Sequence, residues 1–142
     1  MAATIALLIA VVAAAWLMDI AAHRGDAATE YEVIVASGDE TLCVMDMERI
    51  RTLETRRVAM QGQLQEGPSL LALLADCGIE EFESVTVTGM GIRDDGHIEL
   101  AAEEIDEDVL LDIAVRGTLK LCGPHIAWED RVRDVQRIDV RR

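Results

Sequence analysis

Positive charge is scarce in this chain. Its 142 residues hold 13 Lys or Arg against 27 Asp or Glu, a net charge of −14, and Lys120 is its only lysine. Such a surface repels nucleic acid and anionic lipid headgroups, which argues against a phosphate-backbone binder. Several catalytic signatures are also missing. There is no Ser-x-x-Lys, Gly-x-Ser-x-Gly, glycine-rich phosphate loop or His-Glu-x-x-His, and no internal repeat. Cysteine is sparse too: Cys43, Cys77 and Cys122 form no Cys-x-x-Cys unit, and an odd number cannot all pair. A metal site normally needs three or four convergent ligands. We read the three cysteines as small apolar core residues, with one disulfide plus a free thiol as the alternative.

Charge is wholly absent from Met1 to Met18. A helix of that length spans roughly 27 Å, close to the ~30 Å hydrocarbon core of a bilayer. Trp16 sits near its end, where an amphipathic ring favours the headgroup zone, and Asp19, His23, Arg24 and Asp26 stop the run. We assign 1–22 as a single-pass transmembrane anchor and 23–30 as a linker. The run is longer than a signal-peptide core and lacks a Lys/Arg-rich start, although small residues at Ala13–Ala15, Ala21–Ala22 and Ala27–Ala28 leave cleavage as the alternative. Arg24 alone would keep the C-terminal domain in the cytoplasm. Whole domains translocate largely regardless of one such charge, so we place the domain on the extracytoplasmic side.

The remaining residues, 31–142, suffice for one domain with a modest core. Tyr31–Ala36 alternates like a strand, Ser37–Glu40 turns, and Thr41–Val44 begins a second strand. Met45–Leu53 places Met45, Ile50 and Leu53 at helical spacing. Arg56–Leu64 is extended. Gly67-Pro-Ser opens a helix through Leu70–Cys77, with Pro68 in its first turn and Gly78 stopping it. Val85 and Val87 share one strand face, and Asp94-Asp95-Gly96 reads as a hairpin turn. Ala101–Asp108 is an acidic short helix or turn without EF-hand spacing. Val109–Val115, Leu119–Cys122 and Val132–Val140 complete the strands, with Val132, Val135, Ile138 and Val140 as the buried set. The pattern gives an α+β domain with a mixed sheet and short helices.

The order of these segments resembles the sulfite-oxidase-type molybdopterin-binding domain. Gly67-Pro-Ser-Leu-Leu-Ala-Leu-Leu-Ala-Asp-Cys-Gly matches its "G-x-x-L-x-x-L-L-x-x-x-G" helix, and Asp108-Val-Leu-Leu-Asp its leucine segment. Gly117-Thr-Leu-Lys-Leu-Cys-Gly-Pro stands where that family has "G-x-P-x-R-L-x-x-P", and Val135-Gln-Arg-Ile-Asp-Val matches its closing strand. The resemblance covers roughly Tyr31 to Val140. It implies a molybdopterin-binding oxidoreductase fold, with molybdenum held by a cysteine thiolate just before the helix.

The stretch from Glu54 to Glu66 contains no cysteine. Neither Met60 nor Gln61 replaces a thiolate on a soft metal, and Lys120 offers a point charge where the family has a planar arginine fork. We therefore expect the fold without the redox centre, no catalytic residue, and no cofactor beyond the molybdopterin that the resemblance implies. Cys122, His125 and Asp130 superficially suggest a thiol nucleophile with a base. The best binding surface is Lys120 with the loop segment carrying His125, Trp128 and Arg131, since Trp and Arg are enriched where partners are gripped. These residues leave three functions: a membrane-tethered, non-catalytic domain binding a partner protein or small ligand; a molybdopterin oxidoreductase with atypical ligation; or an accessory subunit of a membrane complex, with Ala13–Ala15 permitting close helix approach.

Overall fold

The computed structural model describes residues 30–91 and 96–142. The 1–22 anchor, nearly all of the 23–30 linker, and Asp94 and Asp95 of the expected hairpin turn lie outside the described residues. Among the described residues no helix is long and apolar enough to cross a membrane. The chain divides into Met1–Glu30 and Tyr31–Arg142, and the described strands and helices belong to the second unit.

Its first strands are β1 (Glu32–Ser37) and β2 (Glu40–Asp46), joined by a turn in which Gly38 takes φ +59°. Asp46 then caps a five-residue helix, α1 (Met47–Arg51), by accepting from the Arg49 N–H at 2.7 Å. Met45, expected on that helix, is the penultimate residue of β2. The cap at Asp46 sets the boundary two residues later than the apolar spacing suggested.

The stretch expected to be one extended run is a hairpin of β3 (Thr55–Met60) and β4 (Gln63–Pro68). Pro68 ends β4 and is not in the first helical turn; Ser69 caps α2 (Leu70–Asp76) through the Ala72 N–H. Gly78 comes after α2 at φ +78°, the left-handed conformation that closes helices. A seven-residue helix is marginal alone. It holds because Leu70, Leu73 and Leu74 are fully buried, each contributing roughly 1.5–3 kcal/mol.

β5 (Ser84–Gly91) and β6 (His97–Ala101) pair antiparallel, and a short 3-10 turn, Ala102–Glu104, comes next. β7 (Leu110–Ile113) and β8 (Leu119–Cys122) form a second hairpin, and β9 (Val132–Arg141) runs up the middle of the sheet. The strand order is β2-β1-β9-β5-β6, with β8 also joined to β9 and β7 to β8. β1 and β9 are parallel and the remaining pairs of this sheet antiparallel. The result is a mixed, sheet-dominated α+β domain with two short helices.

The expected buried set of β9 is correct: Val132, Val135, Ile138 and Val140 are all sealed. Simple alternation cannot put Val132, Val135 and Ile138 on one face, because their spacing of three is odd. A bulge resolves it. Thr88 faces Arg137 and Met90 faces Arg133, so two steps on β5 oppose four on β9. Asp134 absorbs the bend at φ +46°, and Gly89 lies so close that a Cβ there would meet the Arg133 carbonyl oxygen at 2.5 Å.

Candidate functional site: a cationic cleft beside a strand bulge

The resemblance places a metal-bound thiolate in the Glu54–Glu66 stretch. That stretch is the β3–β4 hairpin, closed by Gln61 and Gly62 at φ +51° and +77°. Two residues at positive φ make the tightest hairpin turn, leaving no loop to reach around a ligand. Met60, the last residue of β3, is buried against Leu110, Cys122 and the partly buried Val58. Gly67 brings β4 onto β7, since a Cβ there would run into the Leu111 carbonyl, and the Glu66 N–H donates to Asp112 Oδ2 at 3.2 Å. Cys122 is the one sulfur that could act as a thiolate near Met60. Its thiol is pushed up to about 11, first by burial and then by the Asp112 charge, with Lys120 and Arg131 only partly offsetting both. Among the described residues no three His, Cys, Asp or Glu converge as metal ligands. These residues do not fit a molybdenum–pterin centre.

Next to this sealed region the β7–β8 turn and the β9 bulge enclose an open cleft. Its volume is about 490 Å³, and its walls include Val115, Arg116, Leu119, Lys120, Arg133 and Asp134. Local chemistry builds it. The Ala114 N–H donates to the Thr118 carbonyl at 2.8 Å, and Gly117 at φ +80° completes the turn, leaving Val115 fully exposed at the tip. Asp134 Oδ1 accepts from the Thr118 hydroxyl at 2.7 Å and pairs with the Arg116 guanidinium at 2.6 Å. The bulge is pegged from behind by Tyr31. Its hydroxyl donates to the Val135 carbonyl and accepts from the Leu119 N–H at 3.2 Å. Burial, followed by the Asp134 charge, raises the Tyr31 pKa against the opposing pull of the Leu119 hydrogen bond.

The cleft's charge is opposite to the protein's. Arg116, Lys120 and Arg133 face a single carboxylate, Asp134, which Arg116 already occupies. Lys120 and Arg133 stand in no ion pair among the described residues. Asp112 lies opposite Lys120 across the β7–β8 ladder, but its carboxylate receives the Glu66 N–H. A fourth cation borders the site, since a Cβ on Gly117 would stand 4.0 Å from the Arg51 guanidinium.

The residues expected to form one surface are distributed otherwise. Lys120 is half-buried in the cleft wall, and His125 is exposed in the loop after β8. Trp128, in the 3-10 turn Trp128–Asp130, is 51% exposed. Arg131 is 4% exposed, with its Nε buried and unpartnered. The cleft brings Lys120 together with Arg116, Arg133 and Asp134 instead. Asp134 pairs with Arg116 and not with the neighbouring arginines of its own segment. The cysteine reading is corrected as well: Cys43 and Cys77 form a disulfide and Cys122 alone is a buried free thiol. The Cys122–His125–Asp130 constellation fails as a nucleophile because burial holds the thiol protonated while the imidazole is exposed.

No family model matches the chain, and no curated protein matches its sequence. Among solved structures, its fold is similar to that of the sulfane dehydrogenase SoxCD from Paracoccus pantotrophus. The TM-score is 0.63 at 14% identity, over 78% of this chain and 38% of that one. The likeness is one of fold, and the chain matches well under half of that protein's length.

Proposed function

We propose that this chain is a membrane-tethered, non-catalytic domain of the oxidoreductase molybdopterin-binding fold, which binds a partner protein or small ligand at the Arg116–Lys120–Arg133 cleft. One observation carries the reading: the stretch in which the resemblance implies a thiolate is a cysteine-free hairpin, closed by a two-residue turn next to a buried Met60. The fold persists while its metal-binding stretch is closed, so chemistry moves from redox turnover to recognition. Tethering would work through concentration, since the uncharged run Met1–Met18 would confine the domain to a surface and raise its encounter rate with membrane partners. The Cys43–Cys77 bridge supports placement in an oxidising, extracytoplasmic compartment.

The second reading is a molybdopterin oxidoreductase with atypical ligation, and the packing of Cys122 on Met60 is what favours it. A thiol raised to about 11 is a poor anionic ligand near neutral pH, which ranks this reading below the first.

The test is charge reversal in the cleft. Full-length protein in mildly solubilised host membranes should lose its bound partner or ligand at least about tenfold in the K120E/R133E variant, about 1.4 kcal/mol, with melting unchanged. Equal retention by a folded variant would show that the cleft is not the binding surface.

A further inference from the structure

The Cys43–Cys77 bridge has an asymmetric setting that the binding function does not use. Cys43 lies on β2, the sheet's edge strand, and Cys77 caps the C-terminus of α2; their Cα atoms are 5.7 Å apart. Both cysteines are only partly buried. The Arg49 guanidinium lies 3.5 Å from Cys43 Sγ. It is fixed there by Asp76 Oδ2 at 2.7 Å, the Asp76 carbonyl at 3.0 Å and the Val44 carbonyl at 3.5 Å. Asp76 itself is the chain neighbour of Cys77. A cation thus stands against one sulfur and a carboxylate beside the residue that carries the other. Cys77 itself keeps partial exposure at the end of α2, beside the exposed Gly78.

From this geometry we propose that Cys43–Cys77 is a directional thiol-exchange site: an incoming thiolate attacks the Cys77 sulfur, and Cys43 departs as a thiolate held by Arg49. The inference does not depend on the cleft. In the first step the new bond joins the incoming sulfur to Cys77 Sγ, and the electron pair of the broken S–S bond goes to Cys43 Sγ. A second thiolate then displaces Cys77, which takes up a proton. Overall, the protein disulfide gains two electrons and two protons, and two reductant thiols become one disulfide. The co-reactant class is a small thiol or a protein dithiol. The direction arises because the sulfur that better stabilises negative charge leaves faster. Asp76 weakens the Arg49 field at Cys43 by pairing with it. The polarity therefore rests on Arg49, whose guanidinium touches Cys43 Sγ and no atom of Cys77. Cys122 takes no part, being sealed under β3 and β4 with Met60 and Leu110.

The probe is reduced glutathione on the full chain, trapped with an alkylating agent at intervals and mapped by peptide mass. The expected first product carries glutathione on Cys77 and the alkyl group on Cys43. The opening rate should scale with glutathione concentration and fall roughly three- to tenfold in R49Q, while R49K stays within about twofold of the parent. Glutathione on Cys43, an even split, or an unchanged rate in folded R49Q overturns the proposal. So does a rate independent of glutathione with Cys122 alkylated alongside, which would report global unfolding. Should R49Q not fold, the adduct position in the parent and the rate of R49K still decide.

Discussion

Two sulfur environments divide this domain. Around Cys43 and Cys77, a disulfide and the Arg49 network tie the edge strand β2, α1 and the end of α2 together, and the bonded groups are reachable from solvent. Around Cys122, a free thiol is buried with Met60 and Leu110, beside a buried arginine, under a hairpin with the shortest of turns. A covalent bond clasps the first region. Packing and hydrogen bonds such as Glu66 N–H to Asp112 close the second, and it is there that the resemblance implies a metal. The contrast teaches that sulfur count says little about function: the two partly exposed sulfurs are bonded to each other, and the one packed on the implied metal-binding stretch is buried and held protonated.

The largest test of this division removes the clasp. The C43A/C77A pair should lose about 4 kcal/mol of unfolding free energy, the loop-closure value for a bridge spanning 34 residues, measured by urea denaturation. A loss below about 1 kcal/mol would mean that packing holds this end as well. The buried thiol gives the next effect. Its folded pKa is raised from 9.0 to about 11, so the unfolded chain ionises first as pH climbs. Stability is therefore full below pH 9 and falls by roughly 2–3 kcal/mol as pH rises to about 11. C122A should flatten that loss, and an unchanged alkaline slope would show that the thiol is not sealed.

The cleft side offers two smaller tests. Y31F removes the hydroxyl that satisfies the Val135 carbonyl and the Leu119 N–H, and should cost roughly 1–2 kcal/mol. Amide exchange should speed up at Leu119 before it does on β1, and a uniform change would sink the peg role. D134N keeps a residue type that tolerates positive φ but removes the charge facing Arg116. The pair is largely exposed on the arginine side, so stability should drop by less than about 1 kcal/mol, while affinity for an anion in the cleft should rise. Weaker anion binding would reverse the cleft's assigned sign.

Much of the fold was readable because local patterns agree with tertiary demand. The β5 alternation of Val85 and Val87, the Leu70–Leu74 run stopped at Gly78, and the buried residues of β9 all lie where apolar spacing put them. The errors share a cause: boundaries set by polar residues outvote apolar periodicity. Asp46 capping moved α1 past Met45, Ser69 capping left Pro68 in a strand, and Gln61-Gly62 turned one extended run into a hairpin. The cleft was half legible. Lys120 was marked by standing where the resembling family has an arginine, but Arg116 and Asp134 meet through a bulge whose one sequence trace is the odd spacing of Val132, Val135 and Ile138. The Cys43–Cys77 pairing joins residues 34 apart, and no local pattern encodes that meeting.

The central claim is that the fold persists with its metal-binding stretch closed. Its most direct test is the molybdenum and pterin content of the full-length protein, purified from its native host in mild detergent. The predicted result is neither metal nor pterin bound to a folded sample. Molybdenum near one per chain, accompanied by a pterin, would contradict the claim.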